Sequence, residues 1–237
     1  MPMNSYEAKS NPGFSIIELA VVIGILAVFL GIALPLLARL RINAMATKCA
    51  MHLAQLGNAF NAYASENDGV LPRAAPYGGS RGPTWMEAAS RHLGRPSSTW
   101  AQLRATQAFH CPANTVPEVP TSYVVNAFYF SDPGWNSVAG ATKLSKIRSP
   151  ASLPWLLEAP DFFKTFTVAK ALVDDVFFEI THYVSTPDHL PEGATPRIYP
   201  ARHRHSSNLL FADGHVEARS TSEKLSLHQF DDRIRRR

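Results

Sequence analysis

The chain has 237 residues, 46% of them hydrophobic and 18% charged, with a formal charge of +4 and a pI near 9.2. The basic excess is modest and partly terminal, from Arg233, Arg235, Arg236 and Arg237 beside Asp231 and Asp232, so a solvated tail accounts for it and nucleic-acid binding is not expected. No phosphate-binding glycine loop, zinc-knuckle cysteine spacing or nucleophile beside a partner motif is present, so neither an enzyme nor a cofactor is expected.

In chain order, the first informative stretch is apolar. From Leu19 to Ala38 no side chain is charged. At 1.5 Å per helical residue, such a run of about 20 residues spans a hydrocarbon core of about 30 Å. A secretory signal peptide also opens with a short polar region and an apolar core. This run is longer than the usual 7–15 residues of such a core, and it leads through Pro35 into Arg39 and Arg41 rather than to a small-residue cleavage site. Glu18 lies one turn inside this otherwise apolar helix, where a carboxylate is costly and needs a partner.

Gly13, Phe14, Glu18 and Pro35 together resemble the N-terminus of type IV pilins and of the pseudopilins of type II secretion. In that family a prepilin peptidase cuts after the glycine, the new N-terminal phenylalanine is methylated, a glutamate stands at the fifth mature position, and a proline often kinks the helix further on. The resemblance implies a cleaved leader over residues 1–13, a transmembrane part of the helix over 14–38, and an extracytoplasmic domain over 39–237. It also implies a single-pass protein of the bacterial inner membrane, alone or as part of a surface filament, with prepilin peptidase and other pilin-like subunits as partners. The basic residues beyond the run, Arg39, Arg41 and Lys48, do not set that orientation by the positive-inside bias, so it rests on the resemblance. Chemistry gives the same motif a reason: cleavage leaves an amine on Phe14, four residues from Glu18, and the two charges can pair within a subunit or between neighbours.

Beyond Pro35, residues Ile42, Met45, Cys49, Leu53, Leu56, Phe60 and Tyr63 recur at steps of three and four, the stripe of an amphipathic helix. With Asn67-Asp68-Gly69 as its end signal, one helix is expected from about Phe14 to Glu66. Fifteen of the 18 prolines then lie between Pro72 and Pro200, which argues against long uninterrupted helices there. A short helix is expected over Trp85–Leu93, ended by Gly94 and Pro96. Strands are expected over Ser122–Phe130 and Leu153–Glu158, with a connector at Lys143–Ile147. The aromatics between Phe162 and Ile180 admit a second functional reading, a membrane-anchored domain that binds a polysaccharide, although core burial is the commoner fate of such side chains.

Asn208–Ala212 and His215–Ala218 flank Asp213-Gly214, a pattern for a hairpin with a tight primed turn. With His203 ahead of it this reads H-x9-DG, and it resembles the C-terminal signature of a large pilin-like family. Lys48-Cys49, Asn67–Pro72, His110-Cys111-Pro112 and Thr121-Ser122-Tyr123 also match that family, while Asp161–Pro200 does not. The implied fold is α+β, a long N-terminal helix packed on a small antiparallel sheet with long loops. His203, His205, Asp213 and His215 are the only metal candidates, and Asp213-Gly214 is already explained as a turn, so no metal is expected. The acidic residues do not form a calcium loop. Cys49 and Cys111 form a candidate disulfide tying a loop to the helix, and two buried free thiols are the alternative.

Overall fold

The computed structural model describes residues 15–72, 85–97, 99–114, 121–126, 143–158, 177–178 and 202–220. Gly13, Phe14 and the leader lie outside these residues, as do 127–130 of the expected strand, the terminal arginines, and the aromatic segment from Phe162 to Ile180 apart from the backbone of 177–178.

The first element is a single helix, α1, over Ile16–Glu66, with Pro35 inside it. Its start is built by Ser15 and Glu18. The Ser15 hydroxyl accepts from the Ile17 amide at 3.3 Å, and the Glu18 carboxylate accepts from the Ser15 amide at 2.9 Å. Ser15 thus caps the second helical amide while Glu18, three residues on, returns to the amide of Ser15, at an S-x-x-E spacing that stands plainly in the sequence. At the other end the amide of Gly69 returns to the carbonyl of Ala64 at 2.8 Å. Asp68 and Gly69 both adopt positive φ there, 54° and 74°, which turns the chain out of the helix.

The chain divides into two compact units, Met1–Arg41 and Ile42–Arg237, and α1 contributes to both. In the first, apolar side chains including Ile16, Val21, Leu26, Phe29, Leu34 and Leu37 are exposed. The helix is long and apolar enough to cross a membrane once. In the second, the expected stripe is a buried face. Cys49, Leu53, Leu56 and Phe60 lie at the core, while Ile42, Met45 and Tyr63 at its edges are partly buried.

The second unit adds α2 over Trp85–His92 and α3 over Trp100–Arg104. Helix α2 ends where expected, at Gly94 with φ of 71°. Helix α3 was not expected, although its capping box of Thr99 and Gln102 is visible as T-x-x-Q. Trp85 is the hub of the core, with Phe60 and Phe109 against it edge-on at centroid distances of 6.1 and 5.6 Å.

The sheet has strands β1 (Tyr123–Asn126), β2 (Pro154–Glu158), β3 (Phe177–Phe178), β4 (Ser206–Phe211) and β5 (Val216–Ser220), in the order β3-β1-β2-β4-β5. Four strands pair antiparallel, and β3 adds a short parallel edge on β1. With a long helix and a small, mainly antiparallel sheet, the fold is α+β. Every residue of β1 and β2 is buried, so these strands read as continuous apolar runs rather than alternating ones. The expected connector is a single 3-10 turn, Leu144–Lys146, tied to the end of α1 by a bridge between Val70 and Lys143.

One turn differs from expectation. A primed two-residue turn needs positive φ at its first central residue, and type I′ at both. At the β4–β5 hairpin only Gly214 has it, at 94°. The loop is Ala212-Asp213-Gly214, closed by the Gly214 amide on the Phe211 carbonyl and the Phe211 amide on the His215 carbonyl, both at 2.9 Å. That is the three-residue hairpin in which a glycine completes a bulge. Two consecutive positive φ angles are found instead at Arg204 and His205, 56° and 78°, between His203 and Ser206.

Candidate functional site

The residues singled out by sequence fall into two places. Glu18 and Pro35 stand on the first part of α1, where Glu18 is engaged in capping the helix. Cys49, Cys111 and His203 meet in the interior of the second unit, with Glu158 among them.

Four different segments deliver this cluster. Cys49 comes from the buried face of α1, Cys111 from the loop after the 3-10 turn Gln107–Phe109, Glu158 from the end of β2, and His203 from the turn before β4. The register of the sheet sets Glu158 directly opposite Tyr123 on β1. Cys111 is held by its neighbours: the His52 ring on α1 bonds the His110 carbonyl at 2.7 Å, and the His110 ring bonds the Arg104 carbonyl at 2.8 Å. His203 is held by its turn, whose backbone bonds run both ways to Ser206 at 3.1 and 3.2 Å.

The ligand-type atoms of the four side chains lie within 4.8 Å of one another, and all four residues are buried, His203 the most exposed at 5%. The Cys49 thiol donates to Glu158 Oε1 at 2.6 Å, and His203 Nε2 reaches Glu158 Oε1 at 2.9 Å and Cys111 Sγ at 3.4 Å. Around them, the Ser207 hydroxyl donates to Glu158 Oε2 at 2.7 Å. The Asn208 amide is shared between Glu158 Oε1 at 3.4 Å and the Ala46 carbonyl of α1 at 3.2 Å. The Tyr123 hydroxyl lies 3.2 Å from Cys49 Sγ. His203 Nδ1 is buried without a hydrogen-bond partner among the described residues.

The electrostatics follow from burial and mutual contact. Burial pushes the Cys49 thiol up, and the neighbouring Glu158 charge adds to the effect. Cys111 is held down to about 5, chiefly by its hydrogen bond with Cys49 and further by His203, against the effect of burial. Burial by itself would lower His203, but its contacts with Cys111 and Glu158 outweigh that and raise it to about 9. Burial would likewise raise Glu158, and the hydrogen bond and charge of His203 reverse the direction. The result is a buried cluster of two sulfurs, a carboxylate and an imidazole, all drawn toward one another.

Both cysteines are free. Of the metal candidates read from sequence, only His203 belongs to the cluster. His205 is exposed. His215 pairs with Asp213 at 2.6 Å on the exposed hairpin loop and stacks on Phe211 with ring centroids 4.3 Å apart. Sequence reasoning passed over Glu158. Its signal was present, since a carboxylate closing the apolar run Pro-Trp-Leu-Leu-Glu needs a buried partner.

The Asp213-Gly214 part of the signature has a packing role. A Cβ on Gly214 would come 2.8 Å from Asn61 Nδ2, and one on Gly57 would come 2.8 Å from Leu210 Cδ1 and 3.2 Å from the Gly214 carbonyl. Hairpin and helix therefore approach at two glycines, one on each side. Compared with protein-family models, curated proteins and solved structures, the chain gives no match.

Proposed function

We propose that the chain is a pilin-like or pseudopilin subunit, processed by a prepilin peptidase after Gly13 and assembled through its N-terminal helix into a type II secretion or type IV pilus-like structure. The observation that carries this reading is α1 itself. One helix from Ile16 to Glu66 begins with an exposed apolar surface and continues as the buried face of a folded domain. An exposed apolar surface of that length needs lipid or other helices around it, and a filament of like subunits supplies the second after the membrane has supplied the first. On this reading the anchor lies in the bacterial inner membrane with residues from about 39 onward outside the cytoplasm.

Glu18 has a place in the scheme. In the uncut chain its carboxylate accepts from the Ser15 amide. Cleavage after Gly13 puts an amine on Phe14, next to Ser15, and that cation is a stronger partner for Glu18, on its own helix or on a neighbour's, than a neutral amide. The subunit then enters the assembly with a charge pair to be matched inside an apolar bundle.

The test is processing. In cells carrying a prepilin peptidase, replacing Gly13 with a bulkier residue leaves full-length precursor, whereas Glu18→Ala is cut normally but is lost from assembled material. A mature mass unaffected by the Gly13 change would refute the proposal.

A further inference from the structure

We propose that Cys49, Cys111, Glu158 and His203 are the four ligands of a closed structural zinc site that fastens α1 to the sheet. The donor set selects the metal. Thiolates exclude magnesium and calcium, which take oxygen ligands, and a mixture of two sulfurs, one imidazole nitrogen and one carboxylate oxygen suits a borderline ion without geometric preferences of its own.

The geometry is that of four ligands around one point. Zinc binds sulfur at about 2.3 Å and nitrogen or oxygen at about 2.0–2.2 Å, so tetrahedral ligands stand about 3.3–3.8 Å apart. The four donor atoms here already lie within 4.8 Å of one another, with His203 Nε2 at 3.4 Å from Cys111 Sγ and 2.9 Å from Glu158 Oε1. Seating an ion among them asks for adjustments of about an ångström, opening the 2.6 Å contact of Cys49 and Glu158 and closing the wider separations. Charge favours it too. Two cysteines and a carboxylate form an acid-rich group among buried residues, and a divalent cation offsets what burial would otherwise penalise.

The surroundings resemble the outer sphere of a metal site. Ser207 and Asn208 both donate to Glu158, fixing the carboxylate, and Tyr123 lies beside Cys49. All four ligands are buried, so no position is left open for a water or substrate, and the role is structural rather than catalytic. Such a site joins α1, the Cys111 loop, β2 and the turn before β4, four segments whose sequence separation makes their closure entropically expensive. The proposal stands apart from the assembly reading, since it concerns only the interior of the second unit.

The experiment uses the full chain, purified in detergent without chelator and with reductant. Elemental analysis is expected to give about one zinc per chain. Cobalt should replace it, with the visible bands of a tetrahedral site and a thiolate-to-cobalt charge-transfer band. Cys111→Ser and His203→Gln should each lose most of the metal, while His215→Ala, on the exposed loop, retains it. Because a ligand variant can fail to fold, the wild-type protein is also stripped with chelator: its Tm should drop by about 5–10 °C and recover on adding zinc. A metal content near zero that zinc addition does not raise, a different metal in the site, or a Cys49–Cys111 disulfide in the protein isolated without reductant would each overturn the proposal.

Discussion

Arg204 and His205 carry an unusual backbone burden. Both have positive φ, 56° and 78°, a region where a side chain costs about 1 kcal/mol or more and glycine costs nothing. The turn they form places His203, whose ring is buried against Glu158 and Cys111. Strain of this kind persists where surrounding contacts over-determine the conformation, and here the contacts are those of the cluster. Arg204 is exposed, so Arg204→Gly tests the cost directly. The variant is expected to be more stable by about 0.5–1 kcal/mol, read as a higher denaturant midpoint with an unchanged slope. A lower midpoint would mean that the arginine side chain supplies more than its backbone costs. Glu158 shows how a residue hides from sequence reading. The run before it signals a buried strand, but which groups meet the carboxylate depends on His203 and Ser207, more than 40 residues further along.

Between elements, the decisive contact is that of α1 with the β4–β5 hairpin. Gly57 sits on the buried face of α1, where alanine would ordinarily favour the helix by about 1 kcal/mol. Its missing Cβ would meet Leu210, which is fully buried, and a backbone carbonyl of the hairpin loop. Overpacking of this kind costs about 1–3 kcal/mol, so Gly57→Ala is expected to lower stability by about 1 kcal/mol net, and Gly57→Val by more. In a chain of this size the first corresponds to a Tm lower by about 2–4 °C. A raised Tm for Gly57→Ala would show that the hairpin can retreat from the helix at little cost. The primed turn expected at Asp213-Gly214 belongs to the same scale. An Asp-Gly pair is compatible with more than one hairpin loop, and the pairing of Leu210 with Val216 selects the three-residue one.

For the whole molecule, two units share one helix but bury their apolar side chains differently. The core is drawn from Cys49 onward, through Trp85, Phe109 and the sheet, and the side chains of residues 16–40 take no part in it. Deleting residues 1–41 is therefore expected to move the chain from the membrane fraction to the soluble one while preserving a cooperative thermal transition. An aggregated product without a transition would show that the second unit depends on the first.

What could be read from the sequence were features fixed over a few residues. The uncharged run, the three-and-four spacing of the buried stripe, the Asn-Asp-Gly helix end, the α2 helix and the apolar strands all express preferences of one helical turn or one strand step. Only the tertiary structure decided that Cys49, Cys111, Glu158 and His203 share one pocket, that His215 does not, and that Gly57 and Gly214 mark the close approach of helix and hairpin. Those meetings span tens of residues and are set by how α1 lies on the sheet in the second unit, which no local periodicity encodes.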